Sequence, residues 1–180
     1  MNKIILNILI IILLGIIQVS FLTTWPFPVN SFNLILSLVV FLVVIVNYHQ
    51  ALWLAFGAGL FLEIYSSSFF GVIVISLLIL AMAVNFLFNN FFTNRSSYSL
   101  IILGILGTLI YNLLTTAMDF LVNLFRGEDL LWYYNIWPKL FWQPIFNAII
   151  LLVIFYVYYL STDRLTTSLF FSSNSYEKRS

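Results

Sequence analysis

The chain has 180 residues, of which 63% are hydrophobic, 19% aromatic and only 7% charged, with a net charge of +1. Soluble domains carry about 25% charged residues, so this chain lacks the charge to cover a water-facing surface, and its neutral balance gives no basis for nucleic-acid binding. The absence of cysteine excludes disulfides and thiol catalysis, and a single histidine argues against a metal site. The expected fold class is all-α: a polytopic membrane helical bundle of about six transmembrane helices. One membrane domain would occupy 1–160, followed by a cytoplasmic tail at 161–180.

In chain order, the first apolar run covers about 4–22. Its opening, "MNKIILNILIIILLGIIQVSFL", has the basic start of a signal peptide. The apolar run continues to Leu22 with no A-x-A site, so an uncleaved first span is expected. "TTWPFPVNS" then breaks the helix, because Pro26 and Pro28 remove donors and restrict the residues before them. The second span is expected at about 33–47, "YHQ" as a tight turn, and a short third span at about 50–65. "SSSFFG" leads to a fourth at 71–92, and "TNRSSY" to a fifth at about 99–125. A longer loop, "RGEDLLWYYNIWPK", precedes a sixth at about 141–160. Leu130, Tyr134 and Trp137 recur there at helical spacing, which suggests a segment lying on the outer membrane surface. The Ser/Thr-rich end reads as a loosely ordered tail.

Lys and Arg in short loops set orientation. With six spans, one side holds Lys3, Arg95, Arg164, Lys178 and Arg179, and the other holds Arg126 and Lys139. Five against two favours both termini in the cytoplasm. A five-span alternative makes the third span re-entrant. Trp25, Tyr48, Tyr65, Tyr98, Trp132, Trp137 and Trp142 fall near the expected span ends, where amphipathic rings prefer to sit.

Glu63 is the conspicuous polar residue. It stands near the outer end of the third span, with Gly59 and Ala55 one and two turns back. Small residues at that spacing let another helix approach closely. A charge at mid-bilayer costs about 2.5–3.5 kcal/mol and less near the interface. Three roles stay open for Glu63: a helix cap or snorkelling carboxylate, a packing or partner contact, and a group for proton coupling or catalysis. The fifth span carries Gly104, Thr108, Asn112, Thr115 and Asp119 on one face, with Asp119 placed to pair with Arg126. Asn85 and Asn89 lie one turn apart on the fourth span, and Gln143 and Asn147 on the sixth. Asn85, Asn112, Asp119, Gln143 and Asn147 are therefore expected to form an intramembrane polar network. Ser66 to Ser68 have no nearby histidine, and there is no zinc pair, facing aspartate pair or phosphate loop. The sequence reads as non-enzymatic, with no cofactor.

The stretch "AFGAGLFLEIYSSSFFG" resembles the signature of the rod shape-determining MreD family: an aromatic or small residue, Gly-Leu-x-x-Asp, a polar turn and a glycine opening the next span. The matching residues are Phe56, Gly59, Leu60, Glu63, the turn Ser66 to Ser68, and Gly71. "FWQPIFNAI", with Gln143 and Asn147, is similar to the family's last span. Glu63 stands where the family usually has aspartate, the inner turn has His49 where the family is usually basic, and Phe32-Asn33 replaces its usual Pro-Asp. The resemblance covers nearly the whole chain and implies a non-enzymatic component of the cell-elongation, peptidoglycan-synthesis machinery in the bacterial inner membrane. It implies binding to an MreC-like single-span protein. Through that protein it implies contact with the actin-like filament protein and the peptidoglycan polymerase and transpeptidase. Ala55, Phe56, Gly59, Leu60, Glu63 and Gly71 would be the packing or partner-contact residues. The implied fold is similar to the six-helix substrate-binding components of vitamin transporters. The competing reading is a transport component that binds a small molecule among Glu63, Asp119, Gln143 and Asn147 in the outer half of the bundle. An intramembrane enzyme is the least supported.

Overall fold

A computed structural model describes residues 9, 11–22, 24, 26, 29–66, 69–92, 96–126 and 136–177. Those residues form helices and no strand. Helix α1 covers Ile11–Ser20, with π-helical geometry over Ile17–Leu22. Helix α2, Leu34–Val46, is α-helical to Phe41 and π-helical over Leu42–Val46. Helices α3 (Tyr48–Tyr65), α4 (Val72–Phe91), α5 (Ser97–Arg126) and α6 (Ile136–Glu177) follow.

Local chemistry accounts for most of the boundaries. Asn33 caps α2 by accepting the Leu36 N–H at 3.0 Å, and Asn47 caps α3 by accepting the His49 N–H at 3.0 Å. An extended Asn47, with φ −160° and ψ 129°, is the whole break between α2 and α3. The turn expected at "YHQ" is therefore one residue earlier, and Tyr48, His49 and Gln50 already belong to α3. Gly71 opens α4 at φ +100°, a left-handed conformation that glycine adopts without a Cβ penalty. Helix α6 runs past 160 to Glu177, through the stretch expected as a loose tail. No Gly or Pro follows Pro144 in the sequence, so nothing local stops the helix.

Val72–Phe91, Ser97–Phe125 and Leu140–Leu160 are long and apolar enough to cross a membrane. Helix α2, at 1.5 Å per residue, is only about 20 Å long. It is nonetheless the centre of the molecule, touching α3, α4, α5 and α6. Ile35, Leu36, Val39, Val40 and Val44 on α2 are fully buried, as befits a helix that is apolar all round. Around it α3 pairs with α4, α4 with α5 and α5 with α6. The surface amphipathic segment expected around Leu130 and Tyr134 lies outside the described residues.

Candidate functional site: two helix starts capped from neighbouring helices

The starts of α2 and α4 lie at the same end of the bundle, because α3 returns the chain between them. A helix start leaves N–H groups without intrahelical partners. In hydrocarbon such groups cost several kcal/mol each. Both starts are satisfied by buried side chains borrowed from other helices.

At α4 the donor groups meet Glu63. Its Oε1 accepts the Ile73 N–H at 3.1 Å and its Oε2 accepts the Val74 N–H at 3.1 Å. The carboxylate is buried and faces the positive end of the α4 dipole, where an anion is favoured. One turn back on α3, a Cβ on Gly59 would stand 3.0 Å from Val74 Cα. The glycine thus permits the backbone approach that puts the carboxylate on the helix start. Of the three roles open for Glu63, this geometry is that of a cap, supplied across the α3–α4 hairpin.

At α2 the caps come from two other helices. Gln18 of α1 accepts the Leu34 N–H at 2.8 Å through Oε1 and donates through Nε2 to the Phe32 carbonyl at 3.3 Å. Asn147 of α6 accepts the Asn33 N–H at 2.9 Å. Its Nδ2 donates to Thr108 Oγ1 of α5 at 3.1 Å, and that hydroxyl donates to the Gly104 carbonyl at 2.7 Å. Asn147 and Thr108 are fully buried. One buried polar chain therefore joins α1, α2, α5 and α6.

The expected site residues separate into groups. Ala55, Gly59 and Glu63 are buried on the face of α3 toward α4, Leu60 and Gly71 are half-buried, and Phe56 is exposed. Asn147 belongs to the α2 cap. Asn112 and Gln143 are buried, but Asn112 Nδ2 and Gln143 Oε1 have no hydrogen-bond partner among the described residues. Asp119 is half-buried on α5. The buried Tyr111 lies within electrostatic range of both Asp119 and Glu63. Asn85 is not brought to this cluster: it accepts from Asn89 Nδ2 at 3.3 Å, toward the opposite end of α4. The side chain of Arg126, expected to pair with Asp119, lies outside the described residues.

Sequence reading overlooked Gln18 and Asn33. Gln18 is an amide late in an apolar run, which is a signal for a helix-to-helix bond. Asn33 follows "PFPVNS" and directly precedes an apolar run, the place of an N-cap. Compared with known proteins, the chain matches no family model, no curated protein and no solved structure.

Proposed function

We propose that the chain is a non-enzymatic scaffold of the bacterial cell-elongation machinery, related to the MreD family. On this reading it sits in the inner membrane with six spans and both termini in the cytoplasm. It would bind an MreC-like single-span protein and through it influence peptidoglycan synthesis. One observation carries the reading: both oxygens of Glu63 are occupied by backbone N–H groups of α4. The most polar residue of the family-like stretch is therefore employed in building the α3–α4 hairpin. Gly59, Glu63 and Gly71, three of the residues that carry the resemblance, are the ones on which that hairpin depends.

The test is affinity isolation of the full chain from its native membrane in mild detergent, with mass spectrometry of what remains bound. The expected result is a single-span partner of the elongation machinery, and loss of rod shape when the chain is depleted. Recovery of a transport ATPase in its place would sink the scaffold reading and favour the small-molecule transport component.

A further inference from the structure

Helices α5 and α6 meet in a regular ladder. Gly104 lies against Leu151, and four residues further along α5, Thr108 bonds Asn147, four residues back along α6. The next step of the same antiparallel register sets Asn112 opposite Gln143. These two side chains are 5% and 2% exposed. Asn112 Nδ2, a donor, and Gln143 Oε1, an acceptor, have no hydrogen-bond partner among the described residues. A third polar group follows from the proline next to Gln143. Pro144 lies inside α6 and is buried. Having no N–H, it leaves the Leu140 carbonyl without its i+4 donor.

We propose that Asn112, Gln143 and the Leu140 carbonyl hold an internal water between α5 and α6. The inventory matches one water molecule: its oxygen accepts from Asn112 Nδ2, and its two hydrogens go to Gln143 Oε1 and the Leu140 carbonyl. Buried waters typically make about three hydrogen bonds to otherwise unsatisfied groups. A donor and an acceptor both left unpaired at this depth would each carry a desolvation penalty, and one water satisfies both while its second hydrogen goes to the Leu140 carbonyl. The ladder then has a dry half, at Gly104 and Leu151, and a wet half next to the proline.

The test is nuclear magnetic resonance on the full chain in deuterated detergent, reading direct cross-relaxation between the Asn112 side-chain amide protons and water, distinguished from exchange by its sign. The wild type should show the cross-peak. Gln143→Met removes one acceptor, and Pro144→Ala gives the Leu140 carbonyl an N–H partner, so each should weaken the signal. A wild-type Asn112 amide with no water cross-peak would overturn the proposal. So would a cross-peak unchanged by both substitutions. The wild-type spectrum and Pro144→Ala decide the matter even where Gln143→Met does not fold.

Discussion

Glu63 on α3 accepts the Val74 N–H of α4 at 3.1 Å, and Val74 also supplies the Cα that would stand 3.0 Å from a Cβ on Gly59. One residue of α4 thus receives both the cap and the close approach. The two features are linked physically: without the glycine the carboxylate would be held away from the N–H groups it caps.

By size Glu63→Gln is a conservative change, but the two-oxygen cap makes it a costly one. A carboxylate accepts at both oxygens, whereas a carboxamide turns one of them into a donor, which here faces a backbone N–H. Leaving a buried donor unsatisfied costs about 1–3 kcal/mol. Glu63→Gln should lose folded protein nearly as severely as Glu63→Leu, while Glu63→Asp keeps both acceptors and should lose less. Thermal unfolding of the purified chain ranks the three, and a glutamine variant as stable as wild type would remove the two-oxygen cap.

Gly59→Leu should be more damaging than Leu60→Phe. The first places side-chain atoms against the α4 backbone, whereas Leu60 is half-buried and has room to adjust. Monomer yield in mild detergent is the readout, and equal yields would contradict close packing of α3 on α4.

Gly104→Ala meets a side chain, not backbone: its Cβ would collide with Leu151 Cδ1. Leu151→Val removes that atom. The double variant should therefore recover stability lost in Gly104→Ala, and additive losses would mean that the α5–α6 ladder is not in this register.

Asn147→Leu removes an acceptor for the Asn33 N–H and a donor to Thr108 at once. Interhelical hydrogen bonds in membranes average about 0.6 kcal/mol, so its loss of stability should exceed that of Thr108→Val, which breaks only one of the two. Denaturant titration in detergent measures both, and a milder effect for Asn147→Leu would detach α6 from the α2 cap.

Reporter fusions at Ser180 and Gly127 test the orientation expected from the five-to-two basic bias. A cytoplasmic signal at Ser180 with an external one at Gly127 is the expected pair. An external signal at Ser180 would refute the cytoplasmic placement of the C-terminus.

Composition and breakers alone determined that this is a helical, membrane-directed chain. They also placed the breaks near Pro26 and before Gly71, because those signals are local: a proline without an N–H and a glycine that tolerates positive φ, whereas the break expected at "YHQ" falls at Asn47, whose capping was not read from the sequence. The Gly59–Glu63 stripe was legible for the same reason, as helical spacing puts both on one face. What Glu63 does with its carboxylate was decided by tertiary structure, since its donors come ten and eleven residues later across a turn. The α2 cap was further from reach, because Asn33 and Asn147 are separated by 114 residues. A polar side chain in a span announces that it needs a partner. Which helix supplies that partner depends on packing, which brings distant N–H groups and acceptors together, buried, at one end of the bundle.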